Sequence, residues 1–183
     1  DDTATAIRVD SSELTNTGTI VASHEVLSDN THVPISTGVQ SRYSNVDNSG
    51  LIHSESANLA IGVDFFQIGR DELLVNSGQI IAVSSGEIES IAVRLWGGYE
   101  TTITNSGEIT GDMAFYVRDS QIVTTLYNSG VINGDFILGD PDRAYYIAST
   151  GDYIENSGII NGNIDMGGGD ETYITIDGGI LNG

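Results

Sequence analysis

Asn156-Ser157-Gly158-Ile159-Ile160-Asn161-Gly162 decides the fold of this chain, because versions of this stretch recur along the whole sequence. The repeat unit is an apolar residue, any residue, Asn, Ser or Thr, Gly, any residue and then Ile. Successive copies begin 21 to 32 residues apart. The other copies are Asn16-Thr17-Gly18, Asn48-Ser49-Gly50, Asn76-Ser77-Gly78, Asn105-Ser106-Gly107, Asn128-Ser129-Gly130 and the variant Asp177-Gly178-Gly179. A repeat of this length predicts a solenoid of stacked units.

Apolar and polar residues alternate on both sides of each Asn, which is typical of β-strands. Asn and Gly tolerate a left-handed backbone, so we interpret Asn-x-Gly as a bend. Hairpins at these bends would give an antiparallel meander, but the spacing is too long and the repeat always keeps the same sense. We therefore predict an all-β fold, a single-stranded right-handed parallel β-helix of about seven coils. Residues 1–183 would form one domain, or a segment of a longer solenoid.

Stacked coils would place equivalent residues of the repeat directly above one another. The Ile four residues after each Asn, replaced by Leu181 in the last copy, would form a core row. The Asn side chains would form a ladder in which each amide bonds to the next. This predicted Asn ladder consists of Asn16, Asn48, Asn76, Asn105, Asn128 and Asn156. The coils differ in length between the bends, so we expect the extra residues to form loops there.

The composition limits the partners of the chain. Six Arg, no Lys and 26 acidic residues give a net charge of −20. Such a field disfavours nucleic acid and anionic membrane surfaces, and leaves cations, basic proteins and uncharged glycans as partners. Disulfides are excluded because there is no Cys. No apolar run is long enough to span a bilayer, so we expect a chain that is not embedded in a membrane.

A second expectation concerns the two ends of the chain. Asp1-Asp2-Thr3 resembles Asp170-Glu171-Thr172, and both are followed by a similar alternating stretch. The start of the chain could therefore continue its own end in a head-to-tail stack, and chance similarity in a biased composition is the alternative.

Two groups of residues are candidates for ligand binding. Trp96 and Tyr99 flank a Gly-Gly corner and could form a platform for a sugar ring, unless Trp96 simply packs between two coils. Asp112 and Asp135 occur seven residues after their Asn and would stack about 5 Å apart, where a calcium ion could balance their charges. Asp170, in a Gly-rich stretch, is the third calcium candidate. Solvated turn and loop residues are the alternative for all three.

No residue pattern assigns catalysis. Parallel β-helix lyases need a base beside a uronate, and glycoside hydrolases need a pair of carboxylates at a defined separation. We find neither a nucleophile motif nor a phosphate loop, and we assign no catalytic residue, cofactor-binding residue or cofactor other than calcium. A polysaccharide lyase or hydrolase remains the enzymatic alternative.

Asn-Ser-Gly-x-Ile-x-Gly-(Asp/Asn), followed by the stretch from Ile164 to Thr172, resembles the passenger domains of Gram-negative autotransporters. The match is best over residues 100–183. This resemblance implies a right-handed parallel β-helix that is carried to the cell surface or released, where such passengers serve as adhesin stalks or scaffolds. It carries over no catalytic residue, because the shared motif is structural.

The leading functional hypothesis is therefore a non-enzymatic extracellular β-solenoid, acting in adhesion or as a surface scaffold. It would contact a host or matrix glycan or protein. The alternatives are a filament subunit that associates end to end, and a polysaccharide-active enzyme on the same fold.

Overall fold

A computed structural model describes residues 3–24, 34–66, 72–97, 100–118, 122–139 and 151–183, with the backbone alone for 72 and 73. The secondary structure of these residues consists of strands, turns and bends. In chain order the strands are β1 (Thr3–Asp10), β2 (Glu13–Asn16), β3 (Thr19–His24), β4 (Ile35–Arg42), β5 (Asn45–Asn48), β6 (Leu51–Ser56), β7 (Leu59–Phe66), β8 (Glu72–Asn76), β9 (Gln79–Ser84), β10 (Ile91–Trp96), β11 (Glu100–Asn105), β12 (Glu108–Val117), β13 (Val123–Asn128), β14 (Val131–Leu138), β15 (Tyr153–Asn156), β16 (Ile159–Asn161), β17 (Ile164–Asp165), β18 (Thr172–Thr175) and β19 (Ile180–Asn182).

Two parallel sheets contain all the described strands. The smaller sheet has seven of them, in the order β18-β15-β13-β11-β8-β5-β2, and these strands precede the repeated turns. The larger sheet has twelve described strands, and all of them except β1 follow one of the turns. Each strand pairs in parallel with the equivalent strand of the neighbouring coil, as β11 does with β8 and β13. The prediction of an all-β parallel solenoid is confirmed.

The coils differ in length at two corners. Two residues separate β4 from β5 but 14 separate β14 from β15, and the corner between the second and third strands of a coil also varies. In the first coils these are separate, with 25–34 between β3 and β4, 57–58 between β6 and β7, and 85–90 between β9 and β10. In the next coil β12 is continuous and pairs with both β9 and β10. The extra residues of the longer coils therefore lie between the strands, as the spacing of the repeat predicts.

Rows of aliphatic side chains fill the interior. The Ile that follows each turn forms one row, and the apolar residue two before each Asn forms another. The rows consist of Ile20, Ile52, Ile80, Ile109, Ile132 and Ile160, and of Val46, Leu74, Ile103, Leu126 and Ile154, all of them at most 7% exposed. Full burial of one such side chain contributes about 1.5–3 kcal/mol. The core is thus as continuous along the stack as the repeat is along the sequence.

The turn glycines are required by close approach of stacked backbones. Positive φ angles occur among the described residues, but not at the Gly of any Asn-x-Gly turn. The predicted bend is present, but a left-handed backbone is not what requires its glycine. A Cβ atom on Gly107 would lie 2.1 Å from the carbonyl oxygen of Gly78, and the equivalent atom on Gly130 would lie 2.1 Å from that of Gly107. Neighbouring turns approach so closely that only glycine fits between them.

The last coil departs from the repeat. Thr175 lies opposite Asn156, so Asp177 is not the equivalent of the Asn. Asp177 and Gly178 instead adopt positive φ angles of 50° and 81° in a longer turn. Leu181 lies opposite Ile160, as the repeat predicts, but it is 46% exposed because no described strand covers it.

The similarity between the two ends of the sequence does not reflect equivalent positions. Thr3 pairs with Ile35 in the larger sheet, whereas Thr172 pairs with Tyr153 in the smaller sheet. Asp1 and Asp2 lie outside the described residues. In addition, the described residues contain no helix with the length and hydropathy needed to cross a membrane.

Replacing Gly107 by alanine tests the close approach of the turns. The new methyl group would collide with the Gly78 backbone, and we expect a loss of about 1–3 kcal/mol in the free energy of unfolding. Gly18→Ala is the matched control, because no atom lies within 4 Å of its Cβ position. Its effect should stay within about 1 kcal/mol, since alanine mainly restricts the unfolded chain. Urea denaturation followed by circular dichroism measures both, and equal losses would contradict this explanation.

Candidate functional site

The six repeated Asn side chains form one column through the stack. Each of the first five donates its Nδ2 to Oδ1 of the Asn in the next coil, from Asn16 to Asn48 at 2.7 Å and from Asn128 to Asn156 at 2.8 Å. The bonds of Asn48 to Asn76, Asn76 to Asn105 and Asn105 to Asn128 are each 2.8 Å long. All six side chains are buried. The five bonds form a continuous Asn ladder parallel to the axis of the stack.

Hydrogen bonds to the backbone satisfy the remaining donors and acceptors of the Asn side chains. Asn76 Nδ2 also donates to the carbonyl oxygen of Glu108, the residue after the turn of the next coil, at 3.1 Å. Asn128 Oδ1 accepts from Gly130 N, two residues later in its own turn, at 3.3 Å. Asn is the residue that fits, because this position needs a donor and an acceptor on one short side chain. At the end of the ladder, Asn156 Nδ2 donates to Ile180 O and Tyr173 Oη.

A second, exposed ladder follows the turns of the last coils. Asn161 Nδ2 donates to Asn133 Oδ1, and Asn182 Nδ2 donates to Asn161 Oδ1, each at 2.8 Å. Asn133 Nδ2 in turn donates to Thr110 Oγ1 at 3.0 Å. These bonds point toward the start of the chain, opposite to those of the Asn ladder. This ladder was not predicted from the sequence, although Asn133 and Asn161 each occur five residues after the Asn of their turn.

A polar groove of about 380 Å³ lies on the side of the stack formed by β1, β4, β7 and β10. Ser36 and Val39 are both buried although they are three residues apart, so the alternation of β4 breaks at Gly38. The groove crosses successive strands at this break. It is lined by Thr3, Thr5, Arg8, Ile35, Thr37, Gln40, Asp64 and Arg94. Arg8, Gln40, Asp64 and Arg94 lie opposite one another on neighbouring strands.

A buried ion pair forms one end of this groove. Arg94 donates from Nε and Nη2 to the two carboxylate oxygens of Asp64, both at 2.8 Å. The Asp64 side chain is 2% exposed and that of Arg94 is 17% exposed. Asp64 is the one carboxylate among the described residues that line the groove.

Trp96, one half of the predicted sugar platform, packs against protein side chains. The guanidinium carbon of Arg118 lies 4.3 Å from the centre of its ring, and that of Arg94 lies 5.4 Å away. Phe66 of the neighbouring coil contacts it edge to face, with ring centres 5.8 Å apart. This arrangement matches the alternative of a Trp packed between coils. Tyr99 lies outside the described residues.

The structure does not bring the three calcium candidates together. Met113, rather than Asp112, lies opposite Asp135, because β12 is irregular between Thr110 and Phe115. Asp112 Oδ2 accepts from the backbone N and the hydroxyl of Ser90, and Asp135 Oδ1 accepts from Asn163 N. Asp170 is exposed. Within the described ranges, no group of three or more His, Cys, Asp or Glu side chains could hold a metal ion.

A buried acid, Asp152, and a partly buried one, Glu171, lie at positions for which the sequence predicted no site. Asp152, 6% exposed, accepts a hydrogen bond from Thr124 N at 2.6 Å, and its own N donates to Glu171. Burial and the nearby Glu171 charge raise the pKa of Asp152 to about 7, although the bond from Thr124 opposes this. The sequence does contain a signal for this pair. Asp152 lies four residues before Asn156, and Glu171 lies four residues before Thr175, which pairs with Asn156.

Asn105→Ala tests how much the Asn ladder contributes to stability. Asn76 Nδ2 and Asn128 Oδ1 would each lose one buried hydrogen bond but keep their bonds to the backbone. At about 0.5–1.5 kcal/mol for each lost bond, we expect a loss of about 1–3 kcal/mol. Asn182→Ala is the control, since Asn182 is exposed and makes the same kind of bond. Its loss should stay below about 1 kcal/mol in urea denaturation. Similar losses for the two variants would show that burial of the ladder adds nothing to the free energy of unfolding.

The buried Asp152 predicts a pH dependence of stability. With a pKa of about 7 in the folded chain and 3.8 as its ordinary value, Asp152 binds its proton more tightly when folded. Its contribution to the free energy of unfolding is therefore full below pH 4 and is lost as the pH rises to about 7. The measurement is urea denaturation of the parent and of Asp152→Asn at several pH values, in a chelator. The free energy of unfolding of the parent minus that of Asp152→Asn should fall as the pH rises over this range. The same difference taken with the exposed Asp165→Asn should not fall. A difference that stays constant for both variants would contradict the prediction.

Comparisons with known proteins identify a family. The family model of the BigA fourth domain matches residues 1–168. No curated protein and no solved structure matches the chain significantly. The BigA domain family is associated with bacterial surface proteins, and the parallel solenoid agrees with the resemblance of the sequence to a bacterial surface domain. Because the family model covers most of the chain, this protein belongs to the BigA fourth-domain family.

Proposed function

We propose that this domain is a non-enzymatic, extracellular structural segment of a bacterial surface protein, serving as a stalk or scaffold in adhesion. The observation that carries the proposal is the unbroken Asn ladder, which joins six successive coils through five buried side-chain bonds. Its residues bond to one another and to the backbone, so the most regular feature of the sequence supports the stack itself.

Rigidity follows from the way the coils are joined. Neighbouring coils share parallel strand pairing in both sheets, the Asn ladder and the rows of buried Ile and Leu. Bending the stack would separate these contacts on one side and compress the turns on the other, where no space remains at Gly50 or Gly107. A column of this kind suits a part of a surface protein that holds other parts at a distance.

The chemistry of the groove supports a role without catalysis. Its carboxylate, Asp64, is held by two hydrogen bonds from Arg94 and is almost fully buried. An acid or base needs access to the proton that it transfers. A groove whose acid is already paired inside the protein suits structure better than hydrolysis or lyase chemistry.

Cell-surface presentation in a Gram-negative bacterium is the proposed location. The BigA family association and the resemblance of residues 100–183 to autotransporter passengers support it. The net charge of −20 supports it as well, because charge of one sign keeps an extended surface protein soluble and limits lateral association.

Stretching single molecules between their two ends tests the stalk. We expect the chain to resist force and then to unfold in steps of about one coil, because each coil contacts only its neighbours. Asn105→Ala should lower the force of the central steps, whereas the exposed Asn182→Ala should not. Extension without any resisting step would remove the stalk from consideration. Asp64-dependent release of reducing ends or unsaturated sugars from a panel of polysaccharides would favour the enzymatic alternative instead.

Head-to-tail self-association is the second candidate function. Ile174, Ile180 and Leu181 are 38%, 46% and 46% exposed on β18 and β19, the last described strands of the two sheets. The outer edges of these strands carry backbone groups that another coil could pair with. Sedimentation velocity over a range of concentrations distinguishes the candidates, since a filament subunit should form larger species that Leu181→Lys reduces. A single species at all concentrations would favour the stalk.

A further inference from the structure

Four successive coils place polar side chains in one inward column, at the start of the strands of the smaller sheet. Thr101 lies opposite Thr124 on β11 and β13. Asp152 and Glu171 occupy the next two positions, directly before β15 and β18, as the pairing of Thr125 with Tyr153 and of Tyr153 with Thr172 requires. Neighbouring members of such a column are roughly 4.8 Å apart.

Each carboxylate of this column is anchored by one oxygen. Asp152 Oδ1 accepts from Thr124 N at 2.6 Å, and Glu171 Oε2 accepts from Asp152 N at 2.5 Å. In both cases the donor is the backbone N–H of the equivalent residue in the preceding coil. These bonds hold the two side chains in place, so they are not free to turn to solvent. The second oxygens, Asp152 Oδ2 and Glu171 Oε1, make no hydrogen bond among the described residues.

Unpartnered buried oxygens surround this arrangement. Glu171 Oε1, Thr124 Oγ1 and Thr101 Oγ1 are buried without a hydrogen-bond partner among the described residues. The two Thr residues are 1% and 2% exposed. A buried polar atom without a partner costs about 1–3 kcal/mol, and a column with three of them needs an explanation.

We propose that Asp152, Glu171 and Thr124 form a calcium site that joins three successive coils. Asp152 Oδ2 and Glu171 Oε1 supply the two negative charges, and Thr124 Oγ1 supplies a neutral oxygen on the coil before them. The unpartnered Thr124 hydroxyl, fully buried and opposite Asp152, is the observation that distinguishes a ligand site from a mere pair of acids.

The donor set determines the kind of cation. All the available atoms are oxygens, which hard cations prefer, and the two carboxylates balance a charge of two. Calcium accepts irregular geometry and a mixture of carboxylate, hydroxyl, carbonyl and water ligands, whereas magnesium demands near-octahedral geometry. A partly preformed site with two carboxylates suits the weak calcium affinities of extracellular modules, with a Kd of about 10⁻⁴–10⁻³ M.

Binding would change the mechanical connection between coils. The Asn ladder and the aliphatic rows lie further along these strands, so the start of each strand near Asp152 depends on the polar column. A cation shared by three coils would join these coils at the start of the strands, just as the Asn ladder joins them at the end of the strands. In the absence of calcium, the adjacent charges of Asp152 and Glu171 would repel each other.

Isothermal titration calorimetry and thermal unfolding of the whole chain test the site, each with calcium up to about 10 mM, some ten times the weakest expected Kd. We expect one calcium ion per chain and a rise in Tm of a few degrees. Asp152→Asn and Glu171→Gln should each weaken binding at least tenfold and remove the rise in Tm. Asn and Gln keep the oxygen that accepts the backbone bond, so both variants should fold, which circular dichroism checks.

Matched controls separate this site from general charge effects. Asp112→Asn and Asp135→Asn remove carboxylates that were calcium candidates from the sequence, and both should bind calcium like the parent. Thr124→Val keeps the side-chain volume and should weaken binding several-fold. The proposal is overturned if calcium neither binds nor raises Tm in this range, or if binding persists in Asp152→Asn and Glu171→Gln. Should one of these two variants fail to fold, the other and Thr124→Val decide by the same criteria.

Discussion

Stacked turns in this protein approach so closely that no Cβ atom fits between them, and much of the structure depends on that contact. The approach requires glycine at the third position of each Asn-x-Gly turn after the first, and it brings neighbouring Asn amides to 2.7–2.8 Å. It also sets the register of the strands on both sides, so that Ile80 lies over Ile52 and Leu74 over Val46. Backbone spacing, side-chain bonding and core packing are therefore consequences of one repeated geometry.

The parallel fold could be predicted because the repeat samples the same environment many times. Ile20 and Ile109 keep one offset from their Asn, and only stacking of coils explains a fixed offset between variable loops. The bend at each Asn-x-Gly could be predicted, but the reason for its glycine could not, because close approach is a property of neighbouring coils. Asp112 was misplaced for a related reason, because the irregularity of β12 between Thr110 and Phe115 leaves no mark in the spacing of the motif.

The buried polar column was present in the sequence at a fixed offset but escaped notice because its residue types vary. Thr101, Thr124 and Asp152 each lie four residues before a ladder Asn, and Glu171 lies four residues before Thr175. A search for identical residues overlooks a position that changes from hydroxyl to carboxylate. The contacts of the arginines could not be predicted from the sequence either. Arg94 binds Asp64 on the neighbouring coil and Arg118 stacks on Trp96, and in neither pair are the two residues adjacent in the sequence.

The corner between the second and third strands has a consequence for how such a chain can evolve. Ten residues separate β3 from β4, two separate β6 from β7, and β12 runs through without interruption, yet the Asn ladder passes all three coils unchanged. Insertions and deletions at this corner are thus independent of the contacts that hold the stack together. Related surface proteins could exchange whole segments there and present new outer faces to a changing environment, while the inherited framework stays the same.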